Sequence, residues 1–250
     1  MGMNIVFFDL ETTGVYNFAI PADDPAQPRV VELAAVLCDD QTESVVDHYN
    51  SIVKPDGWTI PDGAAKVHGI TTARAIAEGR PIAEVMDAFD ALIGKAQLLA
   101  AYNLRFDDKG VRSERRRLGR PDGFGTIPVF CCMRGATPLC KIKPTKKMRD
   151  VKYFDYKTPR LSEAVKILLG RDHVGAHGAM ADALATKDIY FACRDNHEFM
   201  TAGSAFKTNA DSAAAPKEPP VVAQPVKPGV ADPKAPQVGS AGLDDLFKLY

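Results

Sequence analysis

The chain has 250 residues, a quarter of them charged, a net charge of −1 and five cysteines. A balance this close to neutral gives no bulk attraction to nucleic acid, so any such binding must rest on local charge. Five thiols (Cys38, Cys131, Cys132, Cys140 and Cys193) without a paired Cys-x-x-Cys spacing, and no N-terminal signal pattern, argue against a disulfide scaffold and for a reduced, cytoplasmic protein.

In chain order, the first element is an apolar run at residues 4–10, too short for a membrane helix and interrupted by Asp9. It predicts a buried strand. Further strands are expected over 30–39 and 45–53, both rich in Val, Ile and Leu, with Glu32 on a polar face of the second. Residues 16–28, with three prolines and two acids, predict a loop longer than a hairpin needs. Helices are expected over 81–93, 104–118, 161–169 and 178–193, and strands over 97–101 and 127–132. Arg112, Arg115, Arg116, Arg117 and Arg120 are expected on a solvent face. Three antiparallel strands followed by αβαβα give an α/β protein, a mixed sheet flanked by helices.

Chemistry concentrates in three clusters. Asp9 and Glu11 stand at i and i+2 of an extended strand, so both carboxylates leave the same face. Asp107 follows Tyr102-Asn103-Leu104-Arg105-Phe106, where a helix cap is the simpler use for it. Asp182 lies five positions after His177 in His177-Gly178-Ala179-Met180-Ala181-Asp182. Such a gap splays two side chains apart on a continuous helix, so His177 is expected in the loop before it, where His173 can serve as well. Oxygen ligands without a competing thiol suit Mg²⁺ or Mn²⁺. His68, beside a glycine, reads most simply as a turn residue.

Together these stretches resemble the DEDDh exonucleases, the group of the proofreading epsilon subunit of bacterial DNA polymerase III. The resemblance rests on Phe8-Asp9-Leu10-Glu11-Thr12-Thr13-Gly14, on Asn103 to Asp107, on His177 to Ala183 and on Val67-His68-Gly69-Ile70-Thr71, in that family's order. It spans roughly residues 3–195 and implies a ribonuclease-H-like fold. It further implies a two-metal 3′-to-5′ exonuclease that releases nucleoside monophosphates. By that resemblance Asp9 bridges both ions, and Glu11 and Asp182 complete the site of the attacking water. Asp107 holds the other side, directly or through water, and His177 takes the water's proton. Thr12, Thr13 and Gly14 are expected to hold the terminal nucleotide, with His68, Asn103 and Phe106 around it; Phe106 is equally a core candidate.

Residues 141–160 carry eight Lys and Arg against two Asp, with Tyr153, Phe154 and Tyr156 interleaved. That segment can follow a phosphate backbone and stack bases, or it is a solvated loop. The expected exonuclease domain covers 1–200. Residues 201–240 form a Pro/Ala/Lys-rich, disordered linker with seven prolines, and 241–250 a docking peptide. Leu243-Asp244-Asp245-Leu246-Phe247 resembles the short peptides with which replication proteins bind sliding clamps, although Gly242 stands where a glutamine is often found; Leu243, Leu246 and Phe247 would make the contact. The other use is a helical turn against its own domain.

The expected partner is the single-stranded 3′ end of a nucleic acid, with a clamp or polymerase at the tail and no membrane. The tail favours DNA and a role in replication proofreading or DNA processing. An exoribonuclease similar to oligoribonuclease or RNase T has the same motifs. A non-catalytic adaptor would be marked by a missing ligand, and all five residues are present.

Overall fold

A computed structural model describes residues 2–146, 148 and 155–205. Strands β1 (Asn4–Thr12), β2 (Val30–Asp39), β3 (Val45–Ile52), β4 (Leu98–Ala101) and β5 (Val129–Cys131) form one sheet in the order β3-β2-β1-β4-β5. β1 pairs antiparallel with β2, and β2 with β3, while β1 pairs parallel with β4, and β4 with β5. This is the expected mixed α/β sheet of ribonuclease-H-like type.

β1 sits at the centre of the sheet with both faces covered, which is why it reads as an unbroken apolar run. Ile5 and Phe7 enter one core with Val36, Cys38, Ile189 and Tyr190. Val6, Phe8 and Leu10 enter the other, with Phe89, Leu99, Val111 and Phe124. The Phe7 and Tyr190 rings meet edge-on at 5.3 Å, and Phe8 and Phe89 lie 5.3 Å apart. Each such side chain contributes on the order of 1.5–3 kcal/mol by leaving water, so the strand that carries Asp9 and Glu11 is anchored from both sides.

The helices are α1 (Asp62–His68), α2 (Thr72–Glu78), α3 (Ile82–Ile93), α4 (Leu104–Arg117), α5 (Cys132–Cys140), α6 (Leu161–Leu169), α7 (Ala179–Cys193) and α8 (His197–Ser204). The four longer helical patterns of the sequence are found as α3, α4, α6 and α7. α1, α2, α5 and α8 were not expected. α1 and α2 have seven residues each and too few buried positions for a helical stripe. His68, expected in a turn, ends α1, and Gly69 at φ 74° supplies the left-handed residue that stops the helix. α5 hides behind Pro138, which lies in its last turn. α8 packs on β5 so closely that a Cβ on Gly203 would stand 2.1 Å from the Phe130 ring. Only glycine permits that approach.

The arginines of α4 correct the sequence expectation. Arg112 and Arg115 are buried, and Glu114 more so. Glu114 accepts two hydrogen bonds from Arg29, one from the Val30 backbone and one from Arg117. Arg117 also donates to the carbonyls of Asp24, Gln27 and Pro28, Ser113 to that of Ala22, and Lys109 to that of Ile20. The polar face of α4 is therefore not solvated; it fastens residues 16–28 to the domain by their carbonyls. Arg116 and Arg120 are half-buried, and both pair with aspartates. Periodicity shows that a face is polar, but not what covers it.

Among the described residues, no helix is long and apolar enough to cross a membrane. Residues 201–204, expected to begin the linker, instead complete α8; residues 206–240 and the docking residues Leu243, Leu246 and Phe247 lie outside the described residues, as do Tyr153 and Phe154.

Candidate active site

The end of β1 and the start of α7 make the site. Asp9 and Glu11 leave β1 on the face of Ile5 and Phe7, which α7 covers, and Asp182 stands in the first turn of α7. One carboxylate oxygen from each of the three lies within 4.8 Å of the others. Asp107, in the first turn of α4, arrives behind β1, buried, and accepts a hydrogen bond from the Leu10 backbone at 3.2 Å.

This crowding shows in the proton affinities. Burial pushes the Asp9 carboxyl well above its usual range, and Asp107, Asp182, Glu11 and Glu32 push it further. Burial and the neighbouring acids Asp182, Glu32 and Asp107 raise Glu11 to about 8. Asp107 rises to about 8, chiefly by burial and against the backbone hydrogen bonds it accepts. Burial raises Asp182 too, although His173 and His177 pull it down. The neighbouring charges that raise Asp9 are carboxylates, a crowding that a bound cation would relieve. All the donors are oxygens, which fits a hard divalent ion such as Mg²⁺ or Mn²⁺.

The two histidines divide. His173 is buried, its Nε2 2.5 Å from Asp182 Oδ1. His177 is exposed on the turn before α7 at φ 66°.

The remaining expected contacts surround this centre. Thr12 is buried and donates its hydroxyl to the Gly14 carbonyl, while Thr13 exchanges hydrogen bonds with the Arg29 backbone. These hydroxyls stiffen the turn after Glu11. His68 is buried; its Nδ1 accepts from the Ile70 backbone, and its Nε2 faces Thr12 without completing a normal hydrogen bond. Asn103 occupies the position before α4 without capping it through its side chain. Phe106 is half-buried and packs edge-on against Tyr16 at 5.0 Å. Of the basic segment, Lys157 pairs with Glu163.

Sequence reasoning missed Glu32. The polar face expected for it is this acidic centre: half-buried, it lies opposite Glu11 in the β1–β2 register, and its carboxylate accepts from the Ala179 backbone at 3.2 Å. Only the strand register, which no local pattern encodes, brings it here.

The model of the RNase_T family, described as an exonuclease family, matches residues 6–190. The chain belongs to this exonuclease family. Asp9, Glu11, Asp107, His177 and Asp182 all fall within the matched exonuclease domain. Among solved structures, exonuclease I of E. coli in complex with a dT13 oligonucleotide is similar over 77% of this chain at 24% identity, with a TM-score of 0.59. A zinc-bound E. coli exonuclease I–single-stranded DNA complex follows at 23% identity over 78% of the chain, TM-score 0.59. A product-bound exonuclease I is 22% identical over 80%, TM-score 0.60. At such identities the likeness shows a shared fold, and the matched part spans only 41%, 41% and 45% of those chains. Among curated protein sequences there is no match to the chain.

Proposed function

We propose that this protein removes nucleotides from the 3′ end of single-stranded DNA by metal-dependent hydrolysis, in replication proofreading or DNA processing. The observation that carries this reading is the convergence of Asp9, Glu11 and Asp182 within 4.8 Å, backed by Asp107. Two Mg²⁺ or Mn²⁺ ions would neutralise the reacting phosphate and acidify the attacking water. Asp9, Glu11, Asp107 and Asp182 would hold them.

The chain's own groups supply the rest. Water attacks phosphorus, the P–O3′ bond breaks, and the products are a 5′ monophosphate and a strand shortened by one nucleotide. His177 accepts the proton of the attacking water. Of the two histidines it is the exposed one, whereas His173 is engaged by Asp182. The Thr12–Gly14 turn presents its backbone to the terminal nucleotide, and the buried, open Nε2 of His68 offers it a further polar contact. Asn103 and Phe106 shape the side of that pocket. DNA is favoured because the similar exonuclease I structures hold dT13 and other single-stranded DNA. The C-terminal peptide's resemblance to clamp-binding segments favours a replication partner, a sliding clamp or polymerase. Five free, buried thiols fit a reducing cytoplasm.

The test is 5′-labelled DNA and RNA of one sequence, with Mg²⁺ or Mn²⁺, beside the His177→Ala variant. The expected result is a ladder shortening from the 3′ end, faster on DNA and lost in the variant. A preference for RNA would move the substrate to the exoribonucleases; cleavage of neither would remove the proposal.

A further inference from the structure

Glu32 is a fifth carboxylate at this centre, and its position is costly. It stands directly across from Glu11 in the antiparallel β1–β2 pair, where like charges repel. It adds to the negative charge on both Asp9 and Glu11. A neutral side chain there would relieve that repulsion, but Glu32 also makes an offsetting interaction.

That interaction is with α7. The helix has 15 residues, and Gly178 before it has no side chain to cap its free backbone N–H groups. Glu32 Oε2 accepts from the N–H of Ala179, the first residue of the helix, across 147 positions of sequence. Asp182 follows in the same turn and His177 lies just before it. One hydrogen bond therefore joins β2, and through its pairing the strand of Asp9 and Glu11, to the helix that brings the opposing carboxylate.

We propose that Glu32 is a positioning residue for hydrolysis: its side-chain oxygen pins the first turn of α7 to the sheet and so fixes the spacing of Asp182 from Asp9 and Glu11. It holds a backbone N–H, and the acceptor atom matters, not the charge. A glutamine can make the same bond; an alanine cannot. A negative charge also suits a helix N-terminus, but that effect is worth only about 0.3–1 kcal/mol.

The proposal rests on the exonuclease reading, and the experiment separates the two: inactivity of the unaltered protein on DNA and RNA overturns that reading, whereas the comparison below addresses Glu32. Steady-state hydrolysis of single-stranded DNA is measured across a Mn²⁺ titration for wild type, Glu32→Ala and Glu32→Gln. Glu32→Ala should lower kcat or the apparent Mn²⁺ affinity by about ten- to a hundredfold, the usual size for a group that orients a metal ligand. KM for DNA should stay within about threefold, and Glu32→Gln should recover most of the loss. A second variant reads the same bond with every charge in place. Ala179→Pro removes the donor at the first helical position, where proline is tolerated, after an extended Gly178 at ψ 123° that suits a following proline. It should show the same kcat loss, and the double variant Glu32→Ala/Ala179→Pro should be no worse than either single one. If Glu32→Ala does not fold, Ala179→Pro and Glu32→Gln still decide. A glutamine variant as impaired as alanine would overturn the proposal in favour of a charge or ligand role. Alanine activity equal to wild type, full activity of Ala179→Pro, or additive losses would overturn it outright.

Discussion

His173 Nε2 lies 2.5 Å from Asp182 Oδ1, so the loop before α7 folds back to hold a carboxylate nine residues further on. The same carboxylate belongs to the three-acid group with Asp9 and Glu11. His173 thus restricts how Asp182 can turn, while His177, four residues later, remains exposed.

The two histidines should separate in kinetics. His177→Ala is expected to lose about 10²–10⁴-fold in kcat, the range of a general base. His173→Ala should lose about tenfold, the lower end for a residue that orients a ligand. Single-turnover rates of both variants at saturating Mn²⁺ check this; a larger loss in His173→Ala would reverse the assignment.

Acid and base should act on the metal-free protein in an unusual direction. Glu11 and Asp107 have folded-state values raised to about 8 from ordinary carboxylate values of 4.5 and 3.8. Between those limits the folded state holds protons that the unfolded state has released, so stability falls as pH rises from about 4 to 8. Calorimetry in chelator should find Tm lower at pH 8 than at pH 5.5, and Mn²⁺ should restore it at pH 8. A Tm that rises with pH in chelator would contradict the packing of these acids.

How much of this was legible beforehand depends on the range of the information. Asp9 and Glu11 declared themselves through strand alternation alone, and β1 indeed carries both on one face. The motif order placed Asp107 and Asp182. Glu32 did not declare itself, because its role needs the pairing of β1 with β2 and the docking of α7 on both. The arginines of α4 misled for a related reason: a polar helical stripe looks the same whether water or a loop's carbonyls cover it. α1 and α2 were too short to show a period.

Glu114 offers a stability test remote from the chemistry. Glu114→Ala removes a carboxylate that is 1% exposed and leaves Arg29 and Arg117 without their partner. Breaking such a buried pair costs about 3–5 kcal/mol, which urea unfolding should detect. Residues 16–28 should also become protease-sensitive, since Arg117 and Ser113 hold their carbonyls. A loss below about 1 kcal/mol would mean that the network is screened as at a surface.

Asp9→Ala should unfold at a higher temperature than wild type in chelator at pH 8, because it deletes a buried acid surrounded by acids. Mn²⁺ should no longer raise its Tm to the wild-type extent. A destabilised variant would mean that Asp9 supports the fold.

The most direct measurement of the central claim is hydrolysis of 5′-labelled single-stranded DNA by wild type and Asp9→Ala, each with Mn²⁺ and with chelator. A ladder receding from the 3′ end is expected only for wild type with metal, with a loss of at least about a thousandfold in Asp9→Ala, the equivalent of about 4 kcal/mol of barrier. Hydrolysis that survives in Asp9→Ala or in chelator would contradict the assignment of the Asp9–Glu11–Asp182 cluster as the catalytic metal centre.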